Sequence, residues 1–484
     1  QYYMKIAKYV ATLMLSLVTM AVMASEPGWK SAAVKCVNEG RFACADSILT
    51  SLSAKERDNH AFLVDSLRQI MQRVRRDFCV TPQEGRKEIA RRVTNLSDAM
   101  VEEWKRKKYI ETMIIDGTEW WFRKAVRNLW LLNNEDFELQ NELARREEYA
   151  ELYDYYIETM SSKADDANVR NWHRAEITFA LDVNADAVPA GEKVRVWLPF
   201  PFENGRQRNI KMLHSSHKFK KSGDSKHHTV CLEADAKAGE PLHFEITFEY
   251  EVGAVAYSQN ELAQKIKPYD TSKKEYKLYT SSEWPHIVCD EQMRQLADSL
   301  TVDGGTPLEQ ASVIYDWIVD NFPWAGARDY STIPCMPKYV LEQGHGDCGQ
   351  VSLLYISLLR SIGIPARWES GWMLHPGRVG MHDWCEVYYE GVGWVPCDVS
   401  MGRTVRNEVI SDYYKAGTDV YRLATNECNN GILKPQKKYL RTETVDFQEG
   451  EVEWSGGNLP HSEWSSSIRV NKFKRIGTYN SDKK

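Results

Sequence analysis

Three stretches of different periodicity predict an α+β chain of several domains. Residues 26–165 space their apolar side chains as helices do, residues 170–256 alternate apolar with polar, and residues 344–398 join one very apolar helix to a two-stranded hairpin. At 484 residues the chain exceeds one ordinary domain, and a hydrophobic content of 43% supplies enough apolar surface for several cores. A net charge of −6 without a long basic run gives no footing for nucleic acid, so no such partner is expected.

In chain order, Lys5 and Lys8 precede an apolar run from Tyr9 to Met23 with small residues at its exit. That pattern reads as a signal peptide over 1–24, cleaved after Ala24, and predicts export to the periplasm or the exterior. The run is about fifteen residues against the ~20 a helical span needs, and no later segment is more apolar, so the mature chain is expected to lack a span.

The helical domain follows over 26–165. Phe62, Leu63, Leu67, Ile70, Met71 and Val74 share one run, and Thr81-Pro82-Gln83-Glu84 reads as a capped start with proline in the first turn. Met113-Ile114-Ile115-Asp116-Gly117 ahead of Trp120-Trp121-Phe122 predicts a hairpin turning at Asp-Gly, its aromatics packed in the core. Phe137–Met160 returns to a charged helical pattern, and Ser161–Val169 is polar enough for a linker.

Residues 170–256 are expected to form a small β-sandwich, with strands at Ala175–Leu181, Lys193–Pro199 and His243–Glu251. His214, His217, His227 and His228 are assigned to its polar loops, solvated and without the partners a metal site needs. A lysine-rich second linker spans 257–274.

The core segment is expected over 275–425. Thr306–Asn321 is its first helix, with Val313, Ile314, Trp317 and Ile318 as the apolar stripe and Pro323 beyond its end. Gly344-His345-Gly346-Asp347-Cys348-Gly349-Gln350 then opens a helix that runs to Ile362, apolar nearly all round, with Gly363 and Pro365 stopping it. Asp347 and Gln350 fit a capping box, which sets Cys348 in the first turn, where the helix dipole favours a thiolate. Gly380–Tyr389 and Trp394–Asp398 form strands around Glu390-Gly391-Val392-Gly393, so His382 and Asp398 point from one face. Arg403–Ala424 reads as irregular or helical, and 426–484 as a β-rich tail, with Val445–Phe447 and Glu451–Trp454, that packs back on the body.

A cysteine at a helix start with a histidine and an aspartate on neighbouring strands is what a thiol nucleophile requires. The imidazole takes the thiol proton, and the carboxylate orients the imidazole and stabilises its charged form. Here the sequence resembles the transglutaminase-like superfamily: Gly-x-Cys opening a helix, Gly-Ile-Pro-Ala-Arg closing it, His-x-Trp on a strand and Gly-Trp-Val-x-x-Asp on the next. The resemblance implies a papain-like core and a triad of Cys348, His382 and Asp398. It also implies an oxyanion hole from the Cys348 backbone N–H and an upstream aromatic, for which Trp324 is the candidate and Trp284 the runner-up. His345 is assigned to shaping the loop, and Asp383 to the other face of its strand.

The nucleophile motif is Asp-Cys-Gly, where animal transglutaminases carry Gln-Cys-Trp, and no acidic cluster offers a calcium site. Hydrolysis of a peptide or protein substrate, a peptidase or amidase activity without cofactor or metal, is therefore the leading expectation. Acyl transfer to an amine and a non-catalytic peptide- or glycan-binding scaffold are the alternatives. Ten cysteines in an exported chain suggest disulfides, with Cys385–Cys397 and Cys36–Cys44 as candidate bridges. Pairing Tyr388 with Trp394 would set the first two directly opposite.

Overall fold

The computed structural model describes residues 28–476 apart from 134–153, 166–167, 224, 303 and 406–407. The expected leader at 1–24, and most of the Phe137–Met160 pattern, lie outside the described residues. The chain divides into two compact units, one of residues 1–145 with Phe322–Asp347, the other of residues 146–321 with Cys348–Lys484. No helix among the described residues is long and apolar enough to cross a membrane.

In the first unit, helix Ala61–Asp77 turns Val64, Leu67, Met71 and Val74 into the core. Helix Pro82–Ile89 begins at a full capping box between Thr81 and Glu84, with proline in its first turn as expected. The predicted hairpin is present: Thr112–Ile115 pairs antiparallel with Thr118–Phe122. Its turn residues Asp116 and Gly117 both have positive φ, 48° and 83°, the pair of left-handed conformations that suits Asp-Gly. Trp121 and Phe122 are wholly buried in this unit's core.

The second unit holds three antiparallel sheets. The first two are built from β1 (Val169–Val183), β2 (Lys193–Pro199), β3 (Gln207–Ser215), β4 (Phe219–Lys221), β5 (Thr229–Asp235) and β6 (Leu242–Ala256). Helices α1 (Glu291–Leu300), α2 (Pro307–Asn321) and α3 (Cys348–Ser361) follow. The third sheet uses β7 (Ala366–His375), β8 (Arg378–Tyr389) and β9 (Gly393–Cys397). Last come β10 (Gly417–Thr418), β11 (Arg422–Asn426), β12 (Glu451–Trp454), β13 (Gly457–Asn458) and β14 (Trp464–Arg475). The sheet orders are β10-β6-β1-β14 with β3 also on β6, β13-β12-β2-β5-β4, and β9-β8-β7-β11. Alternate residues of β1, β2, β5 and β6, such as Phe179, Val196, Leu232 and Phe248, meet in one core with Trp372 and Leu374 of β7.

Several expectations change. On α2 the buried stripe is Leu308, Ala311, Ile314, Tyr315 and Ile318, whereas Val313 is exposed and Trp317 half-buried. A helical stripe repeats at three and four residues, and 313 and 317 stand on the flank of the row that wins. The lysine-rich linker contains a helix, Gln259–Lys265, capped by Ser258. It then runs along the β8–β9 hairpin, where the Tyr269 hydroxyl donates to the Tyr388 carbonyl at 2.8 Å. His227 is no solvated loop residue: it is fully buried, with Nδ1 2.8 Å from the Asn426 amide oxygen. His214 lies on β3. The stretch Arg403–Ala424 is helical over Glu408–Lys415 as expected, but it also includes β10 and the start of β11, which adds a fourth strand to the hairpin's sheet. The tail's recipients are now defined: β12 pairs with β2, and β14 with β1 along nearly its whole length.

Candidate active site

Cys348 is the first residue of α3, and every residue from Gly349 to Arg360 is buried behind it. The helix is anchored by Arg360, whose guanidinium donates to the Ala366 and Ser281 carbonyls and to Glu283 at 2.7–2.8 Å. Cys348 itself is half-buried, so a rigid core presents its thiol at the first turn.

The hairpin has the anticipated register. Tyr388 faces Trp394, and Cys385 faces Cys397. Both cysteines are thiols and not a bridge, Cys385 Sγ lying 3.4 Å from the Cys397 carbonyl. The bridge that does form is Cys36–Cys44 in the first unit.

On the opposite face His382 Nε2 lies 2.7 Å from Asp398 Oδ2. With Nε2 engaged there, Nδ1 is the ring nitrogen that remains for a proton. Asp398 is held from every side: Oδ1 accepts from the Ser400 and Met401 backbone and from the Ser400 hydroxyl, and Oδ2 also accepts from Arg422 at 2.9 Å. Burial would raise this carboxyl, but His382, Arg422 and these donors hold it below the usual carboxylate range. Burial lowers the His382 imidazole below its ordinary value, with Asp398 opposing and Arg422 adding to the shift.

Arg422 was not anticipated. It opens β11, is fully buried, and links Asp398 to Asp419, 3.7 Å away. Asp419 in turn meets His375 Nε2 at 3.2 Å and the Tyr414 hydroxyl at 2.5 Å. No local pattern marked it: Asp419 and Arg422 stand three apart, which strand alternation puts on opposite faces. β7 approaches β11 so closely at Gly371 that a Cβ there would fall 1.9 Å from the Leu423 carbonyl oxygen.

Asp383 is not the partner of His382, as expected, yet its Oδ2 lies 3.5 Å from Cys348 Sγ. Alternation does put it opposite His382, but that is the face against which α3 packs: Tyr355 of α3 lies by Cys385, Tyr389 and Cys397. The thiol at the head of α3 therefore meets Asp383. Gln448 fixes the carboxylate, its Nε2 donating to Asp383 Oδ1 at 2.8 Å and to the Gly371 and His382 carbonyls at 3.0 Å.

Trp324 lies in the first unit, where it bridges to Gly346 and has the Arg127 guanidinium over its ring. His345 lies there too, Nε2 3.1 Å from the Lys108 carbonyl, in keeping with a loop-shaping part. Trp284, in the second unit, is exposed. No group of three or more potential metal ligands occurs among the described residues.

Comparison with known proteins finds similarity over parts of the chain. An uncharacterised Haemophilus influenzae protein is 24% identical over 309 residues, 53% of this chain and 78% of the relative. The uncharacterised YebA of Bacillus subtilis is 28% identical over 133 residues, 24% of this chain and 18% of its own. Among solved structures, a candidate cysteine protease from Cytophaga hutchinsonii aligns over 64% of this chain and 93% of its own, at 14% identity and a TM-score of 0.42. Residues 294–399, which carry Cys348, His382 and Asp398, match the profile of the Transglutaminase-like superfamily. Over that core segment the chain is similar to the transglutaminase-like superfamily.

Proposed function

We propose that the chain is an exported cysteine hydrolase, a peptidase or amidase acting on peptide or protein substrates through Cys348, His382 and Asp398. The observation that carries this reading is the buried His382–Asp398 pair at 2.7 Å, in a superfamily core whose central helix opens with a half-buried cysteine. In it a papain-like core over 275–425 follows a helical domain over 26–165 and a β-sandwich over 170–256, which the 426–484 tail extends.

The chemistry follows from the groups. His382 accepts the thiol proton at Nδ1, and Asp398 stabilises the imidazolium through Nε2. The thiolate adds to the scissile carbonyl, and the Cys348 backbone N–H steadies the oxyanion. The imidazolium returns its proton to the departing amine, which leaves a thioester on Cys348. Water, deprotonated by His382, releases the acid and restores the thiol.

Alkylation of Cys348, followed by mass spectrometry from pH 4 to 9, tests the pair directly. The expected result is fast reaction well below the ~8.5 of an ordinary thiol, slowed at least tenfold by His382→Ala and less by Asp398→Asn. Ordinary thiol behaviour, unchanged in both variants, overturns the reading.

A further inference from the structure

A buried cluster beside the His382–Asp398 pair takes no part in the chemistry above. Trp384 stands two residues beyond His382 on β8, on the same face, and its ring stacks on the imidazole with 6.0 Å between centroids and 25° between planes. The indole N–H donates to Glu369 Oε2, directly opposite on β7. Glu369 is paired in turn with Arg206 at 3.0 Å, and all three side chains are buried. Arg206 comes from outside this sheet, from the turn that leads into β3. Its other amino group donates at 3.2 Å to the carbonyl of Arg422, the residue whose side chain holds Asp398. The turn is fastened in place: Asn204 donates to Glu369 Oε1 at 3.3 Å, and the Gln207 amide exchanges hydrogen bonds with the Ala424 backbone of β11 at 2.9 and 3.0 Å.

Stability alone is a poor reason for a buried Arg–Glu pair, because desolvation offsets its attraction and apolar side chains of similar volume often serve a core as well. What these ions add is an indole N–H bonded to a full negative charge, which polarises the ring and enriches its face in electron density. Such a face favours a cation lying over it. The imidazolium that His382 becomes on taking the thiol proton is that cation, and it needs support, since burial lowers the imidazole below its ordinary value. We propose that Arg206 and Glu369 are positioning residues for the general base, acting through Trp384 to hold the His382 ring and to stabilise its protonated form; this rests on the hydrolase reading for the part His382 plays. The turn before β3, 163 residues ahead of Glu369, thereby becomes part of the catalytic apparatus. Residues 294–399, the segment that matches the superfamily, lack Arg206 and are incomplete without it.

The rate at which iodoacetamide alkylates Cys348, read by peptide mass spectrometry, tests this on the full chain. Trp384→Phe keeps an aromatic ring and removes the N–H. Arg206→Gln with Glu369→Gln removes both charges together, so neither is left buried alone, and keeps an acceptor for the indole. The charged groups that bear on His382 are Asp398 of β9, Arg422 of β11 and Asp419 just before β11, and these variants replace none of them. At about pH 6 the expected result is a rate about fivefold lower in Trp384→Phe and about threefold lower in the charge-free pair. The triple variant should be no slower than Trp384→Phe alone, because the ions act through the indole. At about pH 9.5, where an ordinary thiol ionises unaided, all rates should agree within about twofold, whereas damage to the fold would persist at both values. Losses that multiply in the triple variant, or that are equal at both pH values, overturn the proposal. His382→Ala separates the two readings. A pH 6 rate slowed by His382→Ala but untouched by Trp384→Phe fails the positioning alone; one untouched by His382→Ala fails the hydrolase reading and the positioning with it.

Discussion

At the scale of single residues, the site is governed by charges arranged around Asp398. Arg422 donates to that carboxylate and to Asp419, and the three groups are buried together. A cation so close disfavours a second positive charge on His382, so Arg422 helps to keep the imidazole neutral and ready to accept a proton. Replacing Arg422 by Gln should therefore raise the pH at which the His382 ring titrates, followed by its Cε1 proton in NMR spectra. Arg422→Lys, which keeps the charge, should leave that titration nearly in place. Arg422→Gln should also cost about 3–5 kcal/mol of stability, because two buried carboxylates lose their partner. A titration unmoved in Arg422→Gln would mean that the guanidinium holds the fold and not the charge of the base. The placement of Cys348 at a helix start and of His382 and Asp398 on one face was readable because helix starts and strand alternation are local patterns. Arg422 and Asp383 were not, because their importance depends on which element packs against which face.

At the scale of elements, the β8–β9 hairpin shows what a turn encodes. Its Gly-rich loop and the Tyr388–Trp394 pair set the register, and Cys385 opposite Cys397 follows from counting. Counting could not decide whether two facing thiols oxidise. Both are buried, and burial pushes the Cys385 thiol well above its ordinary value, which slows the thiolate chemistry that forms bridges. Alkylation of the unfolded, unreduced chain should therefore label eight cysteines, with only Cys36 and Cys44 protected. A Cys385–Cys397 bridge would lower the number to six, eight less the two it consumes. In the folded chain, after Cys348, exposed Cys79 should react next, and Cys231, whose thiol burial pushes up to about 12, among the last. The same local reasoning found β2 from Lys193 to Pro199. It did not find β11, which follows the helix Glu408–Lys415 within a stretch read as irregular or helical.

At the scale of the whole molecule, the legible part ended where pairing became long-range. That the tail holds strands could be read from Glu451-Val452-Glu453-Trp454; that they join β2, some 255 residues earlier, could not, because nothing local encodes a distant partner. Burial of single polar groups was equally hidden, and His286 carries the clearest consequence. It is 4% exposed, and neither ring nitrogen has a hydrogen-bond partner among the described residues. Burial lowers its pKa to about 3, against about 6.5 in the unfolded chain. Below the unfolded value the open chain binds a proton that the folded chain refuses, so stability is full above that pH and falls as the pH drops toward the folded value. Between pH 7 and pH 5 this histidine alone should remove about 2 kcal/mol from the unfolding free energy, at roughly 1.4 kcal/mol per pH unit below 6.5. Asp398 and Asp419, both held below the ordinary carboxylate range, contribute their losses only at lower pH. Urea unfolding at pH 7 and pH 5 measures the difference, and His286→Phe, which titrates in neither state, should reduce it by that amount. His227, also buried and held well below its ordinary value, leaves a remainder of the same sign in that variant. An unchanged pH dependence in His286→Phe would show that the folded chain takes up the proton at this position after all.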